Sequence, residues 1–235
     1  MQLFKIFRHK ETAISRLAFW VRRAREILQT EGLLPAARRT LVFLVGLLFC
    51  YSRYYLYEHI VTERNEFDFL PKTSEFIFEL VTTTRQADAL TASGYDFGSH
   101  HPNNRQGLEK GAVAFCFFID RKLAHIGYVG MNQEAKDSFD SLPYKVDFAH
   151  KQACTGGTWT NPRYRGKGFM GYSYFKRLEY LRQMGYSSSK NAVAVSNIAS
   201  QKAHSRFELK VCASARYMKI LGRRYWKETP HKESL

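Results

Sequence analysis

The sequence has 235 residues, with 36 Lys and Arg against 21 Asp and Glu for a formal charge of +15, and 45% of its residues are hydrophobic. That supply of apolar side chains is enough for one sizeable core and excludes a disordered chain, a collagen or a disulfide miniprotein. Cys50, Cys116, Cys154 and Cys212 lie far apart, with no Cys-x-x-Cys and no Cys/His cluster at ligand spacing, so a reduced cytoplasmic protein without a metal is expected.

The charge is uneven. Residues 163–235 carry 16 Lys/Arg and 4 Asp/Glu, a net of +12, whereas residues 1–162 carry 20 and 17, a net of +3. The C-terminal third is an anion-attracting unit, suited to nucleic acid, an acidic membrane surface or a phosphorylated small molecule.

At the N-terminus, Ile14, Leu17, Ala18, Val21 and Leu28 fall near helical spacing, with Arg16, Arg22, Arg23 and Arg25 elsewhere around the wheel. This predicts a basic amphipathic helix. Gly32 and Pro35 separate it from a second predicted helix, which carries the eleven-residue apolar run Leu41–Tyr51 and the aromatics Tyr54, Tyr55 and Tyr57. The run is too short to span a bilayer, and no small-residue cleavage pattern makes it a signal peptide. Residues 1–70 are therefore expected to form a helical arm. It would lie on an anionic membrane surface through residues 12–57, on the cytoplasmic face, or pack on the main domain or a second copy of the chain as a homodimer.

From about Pro71 the pattern becomes that of an α/β domain, residues 71–235. Glu75–Thr83 alternates as a strand, and Gln86–Ser93 is a short helix closed by Gly94. Tyr95–Asn104 is a turn-rich loop, and Ala112–Ile119 with His125–Met131 forms a hairpin about Asp120-Arg121-Lys122. A polar segment, Asn132–Leu142, leads to an extended run, Tyr144–Thr160. Phe169–Met184 is helical, Asn191–Val195 a strand, Asn197 opens another helix, and Val211–Lys219 and Tyr225–Lys227 are extended. No internal repeat or low-complexity tract interrupts the series.

The segment Asn161-Pro-Arg-Tyr-Arg-Gly-Lys-Gly-Phe-Met-Gly171 sits between a predicted strand and helix. Glycines there let several backbone N–H groups face one point, and the helix start adds partial positive charge, a cradle for pyrophosphate. The dinucleotide fingerprint does not fit, because no acidic residue follows Gly166-x-Gly168-x-x-Gly171 at about 20 residues.

In order, "TWTNPRYRGKGFMG", "LRQMGY", "NAVAV" and "SNIASQKAHSRFEL" resemble the coenzyme A-binding core of the GNAT-type N-acetyltransferases, over residues 74–227. The resemblance implies a mixed, mostly antiparallel central sheet flanked by helices, with acetyl-coenzyme A as co-substrate and an amine acceptor. It implies that backbone groups of Thr158, Trp159 and Thr160 pair with the pantetheine arm. Arg165, Gly166, Lys167, Gly168, Phe169, Met170 and Gly171 would hold the phosphates, Met170 standing where the family usually has a small residue. Asn197 and Ser200 would touch the cofactor from the next helix. His204 occupies the position of the tyrosine that in many members protonates the departing thiolate, and histidine can donate that proton.

No general base stands out. Ala192 replaces the glutamate of some relatives, and Asp147 and His150 are weak candidates. His100, His101, Arg105, Glu134 and Asp137 would line an acceptor pocket suited to an amino sugar, a small amine or a peptide. Two other readings stay open: a non-catalytic acyl-coenzyme A-binding module, and a basic nucleic-acid-binding protein, although no RNA-recognition, zinc-finger or helix-turn-helix pattern locates the latter.

Overall fold

The computed structural model describes residues 49–73, 75–98 and 104–231. Among them, eight strands form one sheet: β1 (Phe49–Ile60), β2 (Ile77–Val81), β3 (Val113–Ile119), β4 (Lys122–Gly130), β5 (Gln152–Thr160), β6 (Ser188–Ala194), β7 (Leu209–Ile220) and β8 (Arg223–Pro230). Their order is β2-β3-β4-β5-β6-β1-β7-β8. Five helices flank it: α1 (Thr84–Ala92), α2 (Asn104–Glu109), α3 (Gln133–Phe139), α4 (Phe169–Gln183) and α5 (Ile198–His204). The expected α/β architecture, mostly antiparallel, is the observed one. Ser52–Arg216 with Trp226 onward is one compact unit, and Phe49–Tyr51 belongs with Tyr217–Tyr225 in another.

Local sequence accounts for many of the boundaries. Thr83 and Gln86 form a reciprocal capping box at the start of α1. Asp120 and Arg121, both at positive φ, make the tight turn between β3 and β4 that matches strand twist. β3 is buried on both faces, which is why it reads as the unbroken apolar run Val113–Ile119. Phe117 from β3 meets Phe169, Tyr172 and Phe175 of α4 to form the core on one face. On the other face, Leu56, Tyr144, Cys154 and Ala213 pack with Phe139 and Ala192.

Three expectations are corrected. The helix expected through Tyr51–Tyr57 is the strand β1, whose Tyr54–Ile60 pair antiparallel with β6 from Ala194 to Ser188. Leu56 is buried on one face of the sheet, and Tyr57 and His59 on the other. Only this part of β1 is buried, and it meets both faces, so no period-two pattern marks the strand, whose aromatics favour a pleated surface. The polar segment after Asn132 contains α3, capped by the Asn132 side chain. The extended run narrows to Gln152–Thr160, because Asp147 caps a 3-10 turn at Phe148–His150.

The amphipathic helix expected over residues 12–28 lies outside the described residues. Among the described residues, no helix is long and apolar enough to cross a membrane.

Candidate functional site

The sheet contains a fork. β5 and β6 run parallel but pair over only three positions, Gln152 with Ser188, Ala153 with Ser189 and Cys154 with Lys190. Beyond Cys154, β5 continues against β4 alone, with Val129 opposite Thr155 and His125 opposite Thr160. Beyond Lys190, β6 continues against β1, with Tyr57 opposite Asn191 and Tyr54 opposite Ala194. The facing edges of the two strands thus lose each other as partners within the sheet, an arrangement into which an extended ligand can enter as an added strand.

A bulge shapes the β5 side of the fork. The register against β4 slips between Ile126 and Tyr128, so that Gly157 and Thr158 together oppose Gly127. Gly157 sits at φ 56°, and a Cβ there would come within 2.7 Å of Tyr128 Cδ2 and 2.9 Å of Phe139 Cβ. Bulges of this kind re-aim side chains and end pairing beside functional sites.

β5 ends at Thr160, and Asn161 caps a short 3-10 turn by accepting from the Arg163 N–H. The chain then enters α4 through Gly168 at φ 90°, with no side-chain hydrogen bond capping the helix. The first N–H groups of a helix have no partner within it, so here they are available to an anion. A Cβ on Gly166 would meet nothing within 4 Å, so the loop is open on that side. Pro71 and Lys72 border the other side, the Lys72 N–H donating to the Lys167 carbonyl at 2.9 Å. Arg165 and Lys167 are exposed. Arg206, which the sequence did not single out, brings Nη1 to 3.0 Å from where a Gly171 Cβ would stand. It also donates to the Asp68 carbonyl.

Beneath the fork, on the face covered by α4 and α5, lies a buried polar cluster. The Tyr174 hydroxyl sits 3.1 Å from Thr155 Oγ1 and 3.0 Å from Ser189 Oγ, linking β5 to β6 where their pairing ends. One turn along α4, Arg177 is 1% exposed and donates from Nη1 to Thr158 Oγ1 at 3.2 Å and from Nε to the Ser173 carbonyl. Its Nη2 has no hydrogen-bond partner among the described residues. Burial lowers its pKa to about 10. His125 Nδ1 lies 2.7 Å from Thr160 Oγ1. The side chains of Thr158 and Thr160 are thus held from one face, which leaves their backbone to act along the edge.

His204 belongs to this cluster. It is buried, with Nε2 3.1 Å from Asn191 Nδ2, and its ring packs on Tyr174 and His59 at centroid distances of 4.5 and 4.9 Å. Burial, then the neighbouring His59 and Arg177, hold its pKa well below the ordinary value. Burial thus disfavours its charged form, so a proton-donor role would fall to a neutral imidazole, a far weaker acid than an imidazolium. The packing of α5 against Tyr57 and His59 of β1 turns its side chain inward.

The remaining expected residues divide. Thr158, Trp159 and Thr160 lie on β5 past the end of its β6 pairing, and Gly166, Lys167, Gly168, Phe169, Met170 and Gly171 span the loop and helix start, with the Phe169 side chain buried in the core. Asn197 caps α5, its Oδ1 accepting from the Ser200 N–H at 3.1 Å. Asp147 and His150 pair with each other at 2.8 Å on an exposed turn. Arg105 pairs with Asp88, and Asp137 accepts from Gln133 at 2.7 Å. His100 and His101 lie outside the described residues. Neither Arg177 nor Tyr174 was expected at the site, because in the sequence each reads as one more position of a helix. Among the described residues, no cluster of three His, Cys, Asp or Glu side chains could hold a metal.

No protein-family model and no curated protein matches the sequence. Solved structures do match. A GCN5-related glucosamine N-acetyltransferase region of a fungal multi-domain GH3 β-N-acetylglucosaminidase aligns with TM-score 0.50 and 11% identity, over 76% of this chain and 22% of that one. An acetyltransferase of the GNAT family from Colwellia psychrerythraea aligns with TM-score 0.45 and 14% identity, over 77% and 59%. A GCN5-related N-acetyltransferase-like protein from Streptococcus suis aligns with TM-score 0.47 and 12% identity, over 86% and 74%. The chain spans 58% and 63% of the length of two other matched chains. The fungal match, together with the strand order and the fork, shows a GNAT-type N-acetyltransferase fold.

Proposed function

We propose that this chain, folded as GNAT-type acetyltransferases are, is an acyl-coenzyme A-dependent N-acyltransferase, most simply one that moves an acetyl group from acetyl-coenzyme A to an amine within a ternary complex. One conjunction carries the reading: the strand whose pairing with β6 stops at Cys154 leads, through an open glycine loop, into a helix start with no side-chain cap. An extended thiol arm suits the strand edge, and a pyrophosphate suits the helix start.

Backbone groups of Thr158, Trp159 and Thr160 would hold the pantetheine arm. N–H groups from Gly166 to Gly171 would hold the phosphates, with Arg165, Lys167 and Arg206 supplying charge. Asn197 and Ser200 would meet the cofactor from α5. The substrate brings the activated acyl carbon; the acceptor's nitrogen attacks it, the thiolate leaves, and the amine proton passes to solvent. A backbone N–H along the free part of β5 is suited to receive the carbonyl oxygen as negative charge develops there. With His204 neutral and enclosed and Asp147 engaged by His150, an acceptor whose amine is already neutral near pH 7 fits this site best.

The same enclosure of His204 favours, as a second reading, a module that binds acyl-coenzyme A without turning it over. Calorimetric titration with acetyl-coenzyme A and desulfo-coenzyme A, at salt high enough to suppress non-specific phosphate attraction, tests both readings. Saturable binding at one site is expected, and its absence in folded protein would overturn them together. Thiol release on addition of amino sugars, polyamines or peptides then separates enzyme from binder.

A further inference from the structure

The end of the sheet where β1 begins and β7 turns into β8 carries an apolar tip set among cations. β1 and β7 are neighbours, and the Ile60 N–H donates to the Glu208 carbonyl, so the strands run antiparallel and Phe49 lies at the same end as Ile220. Phe49, Tyr51, Ile220, Leu221 and Tyr225 are all exposed there, Leu221 by 75%. They make up five of the eleven large hydrophobic side chains exposed among the described residues. Lys219, Arg223 and Arg224 flank the tip, and no acidic residue occurs between Glu208 and Glu228.

The turn itself is unusual in its choice of residue. Leu221 and Gly222 stand at φ 48° and 84°, the two central positions of a turn in which both residues are left-handed. Asn, Asp or Gly is favoured at the first of these, and a leucine is disfavoured there. A strained apolar residue kept at an exposed tip points to a role outside the fold.

We propose that this hairpin tip docks on an anionic lipid bilayer, with Leu221 and Ile220 entering the headgroup boundary, Tyr225 and Tyr51 at interfacial depth, and Lys219, Arg223 and Arg224 on the anionic headgroups. The inference does not depend on the enzymatic reading. Aliphatic side chains exposed at a hairpin turn suit an acyl boundary rather than a nucleic acid, whose contacts are phosphates and stacked bases. A second copy of the chain would bring like charges face to face.

The test is flotation of the full chain with vesicles of phosphatidylcholine, with and without phosphatidylglycerol, alongside Leu221→Asn and Arg223→Glu/Arg224→Glu. Asparagine suits the turn, so Leu221→Asn should melt at the same temperature or higher while binding anionic vesicles about tenfold more weakly, as expected for losing a buried leucine. The double charge reversal should weaken binding at least fivefold for each arginine, and phosphatidylcholine alone should recruit little protein. Equal binding of wild type and Leu221→Asn would overturn the proposal, as would failure of the wild type to float. Loss of binding only in the charge variant, with matching loss of binding to a single-stranded RNA, would identify a nucleic-acid patch instead. Concentration-dependent dimerisation abolished by Leu221→Asn without lipid would identify a self-interface.

Discussion

Arg177 lies flat against Gly127: a Cβ at Gly127 would stand 2.9 Å from the guanidinium carbon and 3.1 and 3.2 Å from its two terminal nitrogens. The glycine on β4 is the space that a buried cation on α4 needs to reach Thr158 on the bulge of β5. Sequence distance hides this relationship, and the shape of the candidate cofactor strand depends on it.

Gly127→Ala should therefore act at a distance. The guanidinium is hemmed in and cannot give way freely, so overpacking should destabilise the fold by about 1–3 kcal/mol. Loss of the Thr158 contact should also raise the Kd for acetyl-coenzyme A. Chemical denaturation and calorimetry on the same variant test the pair; a fall in stability with unchanged affinity would detach Arg177 from the site.

Tyr174→Phe removes the hydroxyl that links Thr155 to Ser189 at the apex of the fork. The two remaining hydroxyls are 3.5 Å apart and can compensate only in part. A loss of about 1–2 kcal/mol is expected from urea unfolding, the usual range for a buried hydrogen-bonded group.

Gly168 enters α4 at φ 90°, so Gly168→Ala should cost about 1–2 kcal/mol from the left-handed backbone alone. Gly168→Asp adds a carboxylate at the proposed phosphate cradle and should abolish binding of acetyl-coenzyme A. If the folded aspartate variant binds as wild type does, the loop assignment is wrong.

His59 is enclosed by Tyr57, Tyr174, His204 and Phe207, and neither ring nitrogen has a hydrogen-bond partner among the described residues. Burial, then Arg177 and Arg64, lowers its pKa to about 3. Its folded value lies below its unfolded one, so the unfolded chain binds the proton first. Stability from this group is complete above about pH 6.5 and is lost as pH falls toward 3, by about 1.4 kcal/mol per pH unit within that window. His125 and His204 shift in the same direction. Melting temperature should drop between pH 6.5 and 5, and His59→Phe should flatten that slope; an unchanged slope would place the acid sensitivity elsewhere.

His204→Phe tests whether the enclosed histidine takes part in the chemistry. Since the histidine is neutral and enclosed, kcat in a thiol-release assay should change less than about tenfold, below the 10²–10⁴ range expected for a general acid. Its pH profile should keep its shape. A larger loss with binding intact would restore the histidine as proton donor.

Most of the elements from β2 to β8 and the loop from Asn161 to Gly171 were legible in the sequence because they rest on local rules, glycines where φ is positive and apolar runs bounded by turns, whereas the short polar helices α2 and α3 carried too little apolar pattern to be read. β1 was not legible, because its sequence continues the apolar and aromatic run that begins at Leu41 and only Leu56, Tyr57 and His59 in its second half are buried, so no period-two pattern marks it as a strand. The fork, the bulge at Gly157 and the cluster of Arg177, His59, His125 and His204 could not be read at all, since each joins residues tens of positions apart. Sequence alone marked the glycine-rich segment proposed to cradle an anion. Tertiary structure decided which side chains face them, because the direction of a side chain on α4 or α5 is set by the sheet it packs on, and burial then fixed whether a histidine there could carry charge.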